Sequence, residues 1–280
     1  MLPLKGSVVV LVDNMALRND LRAEHGLSLW IEADGLRILF DTGQSSAFAK
    51  NAERLKVRCE RAEAVVLSHG HFDHSGGLPL AMRRASTARL FLHPDAVLPR
   101  YSLGGQPPPK PIGMPRDSAS MIRRIPNRLT WTRTPTAIRN NVWVTGPIPR
   151  ETRFEDTGGP FYLDPEGRRA DPIEDDQALW INTAEGLVVC VGCCHAGLVN
   201  TLNYVRRLSG DSRLRAVIGG FHLLQASDQR LAQTVAALRS MAPEMVVPCH
   251  CTGERAVEGL RSVLGKRVLL GRTGVTISFD

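Results

Sequence analysis

Aromatic residues and long apolar runs are both scarce in this sequence. Phe, Trp and Tyr make up 5% of the 280 residues, too few for the stacking platforms that bind single-stranded nucleic acid. The longest early apolar run, residues 8–12, ends at Asp13. Neither a signal peptide nor a run of about 18 apolar residues occurs. We therefore expect a cytoplasmic protein that does not enter a membrane.

Acidic residues are outnumbered by basic ones. The chain has 35 Lys and Arg against 28 Asp and Glu, a formal net charge of +7. Its arginines are dispersed, which favours solvated side chains over a nucleic-acid-binding patch. A positive overall field nevertheless attracts small anions. We therefore expect an anionic small-molecule substrate and no nucleic-acid partner, while the oligomeric state stays open.

The six cysteines are not distributed like a disulfide framework. Five of them fall into two tight groups, each with a histidine inside or beside it, namely Cys190, Cys193 and Cys194, and Cys249 and Cys251. In a reducing compartment, this pattern favours metal binding or buried thiols over disulfide bridges.

Strand and helix patterns alternate along the chain. Apolar runs predict strands at residues 8–12, 27–31, 36–40, 64–67, 90–92, 142–144, 178–181, 187–191, 216–218, 245–247, 268–270 and 275–278. Helical periodicity predicts helices at 77–84, 199–208, 229–241 and 254–264. Residues 103–117 and 157–176 are predicted loops. The order favours an α/β fold with two sheets packed face to face, helices outside them, and a single domain over residues 1–280.

Histidines collect where predicted strands end. The segment SHGHFDHSGG, residues 68–77, holds three of the eight histidines and directly follows a strand. His195, His222 and His250 each follow another strand. Neutral imidazole and carboxylate are ligands for zinc, iron and manganese. If these strand ends meet at one sheet edge, they would form a metal site, although a polar loop with helix-capping histidines is the alternative for residues 68–77.

The segment HGHFDH, residues 69–74, matches the HxHxDH motif of the metallo-β-lactamase superfamily, and FDTG at 40–43 resembles the motif that precedes it. More narrowly, HGLS at 25–28, GCCHAG at 192–197, GGFHL at 219–223 and PCHCTG at 248–253 resemble the subgroup named for dihydropterin-ribofuranosylaminobenzene phosphate synthase. The resemblance covers nearly the whole chain. It implies an αββα four-layer sandwich with a metal site along one edge.

The resemblance and the residue chemistry together give a candidate ligand set. With turn geometry, His69 and His71 face one metal, while Asp73 and His74 turn toward a second. The resemblance adds His250 as a ligand of that second metal, with a buried structural histidine as the alternative. We expect one or two divalent transition metal ions, with zinc first and iron or manganese as alternatives.

Two features depart from the common superfamily pattern. Gly192-Cys193 stands where many members have Gly-Asp with a bridging aspartate, and the usual third-histidine segment ending in Thr-x-Gly is missing. We predict His195 as the replacement ligand. Cys193 is either a thiolate ligand or a small buried residue. Loss of the anionic bridge would leave one metal, or two metals of unequal affinity.

The remaining polar residues divide between catalysis, substrate binding and support. We predict Asp73 and His222 as catalytic residues, and His25, His222 and Arg150 as contacts to the substrate. Each has a structural alternative, such as a core histidine or a solvated arginine. Asp41 is predicted to orient a ligand histidine, and His93 to be a structural histidine at a strand end.

Three functions remain open from the sequence. The favoured one is a hydrolase that uses metal-bound hydroxide on an ester, lactone or phosphoester. The subgroup resemblance implies a transferase that releases diphosphate, and the clustered cysteines allow a noncatalytic metal or thiol sensor. A phosphate loop is excluded at residues 259–266, because five residues separate the glycines and Arg267 follows the lysine.

Overall fold

The computed structural model describes residues 6–279. Its strands are β1 (Gly6–Val12), β2 (Ser28–Ala33), β3 (Leu36–Phe40), β4 (Ala64–Val66), β5 (Arg89–Leu92), β6 (Tyr101–Ser102), β7 (Lys110–Pro111), β8 (Leu129–Trp131), β9 (Thr136–Arg139), β10 (Val142–Val144), β11 (Phe161–Tyr162), β12 (Leu179–Thr183), β13 (Gly186–Val191), β14 (Leu214–Gly220), β15 (Met245–Cys249) and β16 (Thr276–Phe279). Its helices are α1 (Ala47–Arg54), α2 (Phe72–Ser75), α3 (Leu78–Arg84), α4 (Arg116–Arg124), α5 (Leu198–Ser209), α6 (Asp228–Met241) and α7 (Glu254–Leu264).

Two mixed sheets form the body of the structure. The first has the strand order β16-β1-β2-β3-β4-β5-β8, and the second has the order β15-β14-β13-β12-β10-β9. A small third sheet, β11-β6-β7, is built from short strands, of which β7 and β11 lie in the two predicted loops and β6 directly precedes the first loop. Each large sheet is antiparallel at one end and parallel at the other, where β3, β4, β5 and β8, and β13, β14 and β15, run side by side.

Strand β1 shows how sequence alternation builds the layers. Val8 and Val10 lie in the core between the two sheets, whereas Val9 and Leu11 face the core beneath the outer helices. Successive side chains on a strand point to opposite faces, so an apolar strand buries both. Helices α1, α3 and α4 cover the first sheet, and α5, α6 and α7 cover the second. The predicted αββα sandwich is confirmed, while the single-domain assignment stays a prediction.

Three sequence-based element assignments need correction. Residues 268–270 are not a strand, since they make only an isolated bridge between Val268 and Val246, although the Leu269 N–H donates to the Val246 carbonyl over 2.9 Å. The predicted loops contain β7, the start of α4, and β11. Helix α1 was not predicted, because its buried face is largely the small residues Ala47, Ala49 and Ala52.

The parallel strands aim their carboxyl ends at one edge of the sandwich. Asp41 follows β3, and the residues 68–74 follow β4. Cys193 and His195 follow β13, while His222 follows β14. Parallel neighbouring strands end at the same side of a sheet, which places these loops together. Among residues 6–279, every helix is too short or too polar to span a bilayer.

Candidate metal centre

The loop after β4 separates its polar side chains into two directions. His69 precedes the short helix α2 and His71 is its N-cap, whereas Asp73 and His74 lie within it. The His69 Nε2 and His71 Nδ1 atoms are 2.9 Å apart. Gly70 allows the tight passage, because a Cβ there would lie 1.9 Å from the Ala96 carbonyl oxygen. The loop therefore presents two imidazoles on one side and the α2 side chains on another.

Asp41 holds this loop from below with its buried carboxylate. It accepts hydrogen bonds from the Ser68 N–H at 2.7 Å, the Ser68 hydroxyl at 2.6 Å and His74 Nδ1 at 2.7 Å. His74 Nε2 is thereby directed at the Cys193 sulfur, 3.0 Å away. Burial opposes charge on His74, but Asp41 and Asp73 outweigh it and raise the pKa of His74 to about 9. Asp41 thus fixes the orientation of the His74 ring, while the metal-ligand role of His74 stays a prediction.

Three histidines from two distant loops form the first candidate ligand group. Nitrogen atoms of His69, His71 and His195 lie within 4.8 Å of one another. His195 Nδ1 is hydrogen-bonded to the Thr157 carbonyl over 2.8 Å. Burial, reinforced by neighbouring positive groups, holds the pKa of all three well below its ordinary value, so they are neutral. Neutral imidazole is the form that binds metal ions.

Two nitrogens of this group are buried without a partner. His71 Nε2 and His195 Nε2 have no hydrogen bond to any residue in the range 6–279. Buried polar atoms are nearly always hydrogen-bonded, so each such atom asks for an explanation. A cation held by the three imidazoles fits the donor set, because borderline metals such as zinc favour nitrogen ligands.

A second group surrounds Asp73. Its Oδ2 atom is 3.1 Å from His25 Nε2 and 3.2 Å from His250 Nε2. Burial alone would raise the pKa of Asp73, but the surrounding histidines outweigh it and hold that pKa well below its usual range. His250 is fixed by Asn14 Oδ1, 2.8 Å from its Nδ1, and by Asp13, which accepts its backbone N–H over 2.6 Å. His25, whose side chain is 57% exposed, lies at the outer side of this group.

Cys193 connects the candidate groups. Its sulfur belongs to three of these groups. The first also contains His69 and His74, the second His195 and His222, and the third His250 and Cys251. Burial, together with Cys251, raises the pKa of the Cys193 thiol well above its ordinary value. The pKa of Cys251 is lowered instead, because contacts with Cys193 and His222 outweigh burial. The adjacent Cys194 points away and lies 3.3 Å from the Thr201 hydroxyl.

His222 lies beside His195, deep in the site. Their ring centroids are 4.2 Å apart, and His222 Nδ1 is a buried atom without a hydrogen bond among the described residues. The Gly158 backbone packs so closely that a Cβ there would lie 1.9 Å from the His222 ring. Burial lowers the pKa of His222, but the Cys251 thiol outweighs this and raises it. Phe161 of β11 covers His71, His195 and His222, with centroid distances of 5.5, 5.4 and 6.0 Å.

Arg150 and His93 have local structural contacts. The Arg150 guanidinium donates to the His195 carbonyl at 2.6 Å and also to the Pro172 carbonyl. It therefore ties the His195 turn to the loop that carries β11, and its predicted contact with the substrate stays a prediction. His93 Nδ1 accepts the Asp95 N–H over 3.2 Å and caps a single helical turn.

Sequence reasoning missed a buried ionic network behind the histidines. Arg100, 2% exposed, donates to Asp171 at 2.6 Å and to both carboxylate oxygens of Asp175. Asp175 also accepts the Gly70 N–H at 2.7 Å. A single arginine and separated aspartates give no recognisable spacing. The network nevertheless positions the backbone between His69 and His71.

Asp176 binds the other histidine loop. Its Oδ2 atom accepts the Ala196 N–H over 2.7 Å, directly after His195. Burial raises the pKa of Asp176 to about 7. The neighbouring Gln177 donates from Nε2 to the Leu67 carbonyl at 2.7 Å. Residues 175–177 therefore join the loops that carry His69, His71 and His195. They were not predicted from the sequence, and the adjacent acidic residues Asp175 and Asp176 are the sequence signal that could have indicated them.

Two cavities border the centre. One, of about 550 Å³, is lined by Asn14, His250 and Leu224, and by Arg261 and Arg272. The other, of about 420 Å³, lies along residues 157–172. The predicted loop at 157–176 thus lines the second cavity, and its Phe161 packs against the histidines.

Comparison with known proteins places the chain in a family. The model of the metallo-beta-lactamase superfamily matches residues 21–250. An uncharacterised protein of Methanocaldococcus jannaschii is 32% identical over 255 residues, 90% of this chain and 93% of its own. In the same organism, 7,8-dihydropterin-6-methyl-4-(beta-D-ribofuranosyl)-aminobenzene-5'-phosphate synthase is 30% identical over 250 residues, 84% of this chain and 83% of its own.

A solved structure agrees with this placement. The crystal structure described as a metal-dependent hydrolase of the beta-lactamase superfamily is 33% identical, with a TM-score of 0.80. The match covers 97% of this chain and 98% of that one. Members of the superfamily bind divalent metals and are generally metal-dependent hydrolases. On its sequence, its four-layer fold and its histidine-lined edge, this chain belongs to the metallo-beta-lactamase superfamily.

Proposed function

We propose that this protein is a metal-dependent hydrolase of an ester, lactone or phosphoester in an anionic small molecule. The observation that carries the proposal is the convergence of His69, His71 and His195, with two buried nitrogens that lack partners. Such nitrogens are costly in a folded protein unless a ligand satisfies them. The fold itself supports hydrolysis widely, but that argument is by analogy.

The donor atoms divide between two positions. His69, His71 and His195 would hold the first ion, and Asp73, His74 and His250 the second. Such ions, when bound, acidify water and polarise a substrate oxygen. Zinc is the first candidate, and iron or manganese suits the same nitrogen and oxygen donors.

Side chains of this protein would orient water and transfer protons. Asp73 is ionised beside His25 and His250, so its carboxylate can accept a hydrogen bond from a water molecule and orient it. His222 has a raised pKa and a buried nitrogen, so it can donate a proton to a leaving group. Phe161 packs over the imidazoles and limits the access of bulk water.

Substrate charge is the second part of the proposal. The net charge of +7 favours the approach of anions, and the exposed His25 lies at the outer side of the second ligand group. Arg261 and Arg272 line the cavity that borders His250. We propose that a substrate anion is attracted from this side, while the loop at 157–176 discriminates among its neutral parts.

A panel of esters, lactones and phosphoesters tests the proposal, with metal content measured on the same samples. Wild-type protein reconstituted with zinc, iron or manganese should hydrolyse at least one class. The His71→Ala and His195→Ala variants should lose at least about a hundredfold in activity and also lose bound metal. A folded, metal-loaded protein with no hydrolysis of any class would contradict the hydrolase assignment.

The 30% identical synthase makes a second function worth testing. We infer that, as a transferase, this chain would join a pterin-methyl diphosphate to an aryl ribofuranoside phosphate and release diphosphate. Diphosphate release from the pterin substrate only when the acceptor is present, with an inactive hydrolase panel, would favour this function. Diphosphate release without the acceptor would indicate hydrolysis instead.

A further inference from the structure

Two of the six cysteines stand apart because their sulfurs are among imidazoles. The Sγ atoms of Cys193 and Cys251 and a ring nitrogen of His250 lie within 4.8 Å of one another, and all three side chains are buried. The Cys251 sulfur also lies 3.8 Å from the Cys193 carbonyl oxygen. The remaining thiols lack this environment: Cys190 and Cys249 lie in the apolar core between the sheets, Cys59 in the core beneath the outer helices, and Cys194 beside Thr201.

The backbone makes room for this pair of sulfurs. Gly220, at the end of β14, packs against both cysteines, and a Cβ there would lie 2.7 Å from Cys251 Sγ. Cys251 follows β15 and Cys193 follows β13, so the pair joins the two strands on either side of β14. His222 follows β14 itself, and its unpartnered Nδ1 belongs to the described donor atoms of this region. Three neighbouring strands thus end close to Cys193, which shares one donor group with His250 and Cys251 and another with His195 and His222.

We propose that Cys193, Cys251 and His250 form a sulfur-containing metal position that takes a thiophilic divalent cation. The proposal rests on the proposed two-ion centre and extends it, because it adds sulfur ligands beside Asp73, His74 and His250 at the second ion while the first keeps three imidazoles. Thiolates select soft or borderline cations such as zinc, whereas carboxylate and water suit magnesium and calcium. Buried thiols elsewhere pack as small apolar groups, whereas this pair lies with the ring nitrogen of His250 among donor atoms that a metal ion can use.

The chemical consequence is an asymmetric centre. The imidazole position of His69, His71 and His195 is neutral when empty, whereas two thiolates would neutralise a divalent cation at the sulfur position. We therefore expect the two ions to differ in affinity and in the cation they prefer.

X-ray absorption spectroscopy of the zinc-loaded protein tests the proposal directly. Wild-type protein should show sulfur scattering at about 2.3 Å from zinc, in addition to nitrogen. The Cys193→Ser/Cys251→Ser double variant should lose that scattering and roughly one equivalent of zinc per chain. The Cys194→Ser variant is the matched control, since it changes the adjacent thiol that contacts Thr201, and it should keep both.

Sulfur scattering that is absent from the fully loaded wild-type protein, or that persists in the double variant, would overturn the proposal. The wild-type measurement decides the question even if the double variant does not fold. Hydrolysis is assayed separately: an active enzyme whose zinc has only nitrogen and oxygen ligands would leave the hydrolase function standing and remove the sulfur position. An inactive protein whose zinc is bound to sulfur would support the sulfur position and contradict the hydrolase function.

Discussion

At the scale of the single residue, side chains that hydrogen-bond the candidate ligands determine how the ligand atoms are oriented. Asp41 belongs to none of the candidate ligand groups, yet it accepts hydrogen bonds from Ser68 and from His74. It adopts a φ of 57°, and Asp tolerates this left-handed conformation better than most residues do. A carboxylate behind a histidine fixes which ring nitrogen faces the metal.

The Asp41→Asn variant should weaken metal binding about 10- to 100-fold. The amide keeps the size and can hold the backbone conformation, but it replaces a charged acceptor beside His74 Nδ1. Competition with a chromophoric chelator measures the effect. Asp34→Asn is the control, because Asp34 has a similar φ of 50° in an exposed hairpin turn. Equal affinities in the two variants would show that Asp41 does not orient a ligand.

Asp176 leads to a prediction about pH. Burial raises its pKa to about 7, above the unfolded value of about 3.9. The folded protein therefore holds this proton more tightly, so the contribution of Asp176 to stability is full below pH 4 and falls as pH rises to 7. Asp176→Asn keeps an oxygen acceptor for the Ala196 N–H and removes the titration.

The free energy of unfolding of metal-free Asp176→Asn, relative to wild type, should therefore increase between pH 4 and 7. The upper limit of the slope is about 1.4 kcal/mol per pH unit. Urea denaturation at several pH values in the presence of a chelator measures it. Glu174→Gln, an exposed neighbour, serves as the control and should give a nearly constant difference. A flat profile for Asp176→Asn would refute the raised pKa.

At the scale of the element, loops that are distant in sequence are held by a few buried ionic contacts. Residues 171–177 bind Arg100, the backbone between His69 and His71, and the turn after His195. A segment that the sequence presents as a polar loop is thus the frame of the centre. Asp171 and Asp175 share the guanidinium of Arg100, and such pairing is the condition for burying charged groups, whereas Asp176 accepts the Ala196 N–H.

The Arg100→Ala variant should lose about 3 to 5 kcal/mol of stability, because it leaves Asp171 and Asp175 buried without their cation. Chemical denaturation measures the loss. The matched Arg84→Ala removes an ion pair with Glu53 whose side chains are 37% and 62% exposed, and it should cost less than about 1 kcal/mol. Similar losses in both variants would show that the buried network contributes little.

The element scale also marks the limit of prediction from sequence. Strands β3 and β13 were placed within a residue of their bounds, because continuous apolar runs identify strands buried on both faces. Helix α1 was missed, since alanines pack without a strong apolar stripe. The sequence predicted that His195 and His250 lie close to residues 69–74, because all of them follow predicted strands. It did not predict the contacts of Arg100, because these depend on where two loops meet in space.

At the scale of the whole molecule, the candidate centre lies where both sheets end. It draws side chains from the loops after β3, β4, β13, β14 and β15, so it joins the two halves of the sandwich at one edge. Elsewhere the two sheets are held together by apolar packing in a shared core, to which the first sheet contributes Phe40 and the second Ile218. A metal ion that binds this edge in the native state, and does not bind the unfolded chain, therefore stabilises both sheets together.

Removal of metal should lower the thermal stability of the whole protein in a single transition. Binding to the native state alone adds RT ln(1 + [L]/Kd), or about 4 kcal/mol at a ligand concentration a thousandfold above Kd. For a chain of 280 residues, this corresponds to a fall in Tm of several degrees on chelation.

Because imidazoles from both halves share the cation, His195→Ala should have most of this loss already and respond little to the chelator. His93→Ala, which changes a histidine that caps a turn, should keep the full wild-type response to chelation. Scanning calorimetry with and without chelator distinguishes the cases, and a Tm of wild-type protein that is indifferent to metal would mean that no ion links the two sheets.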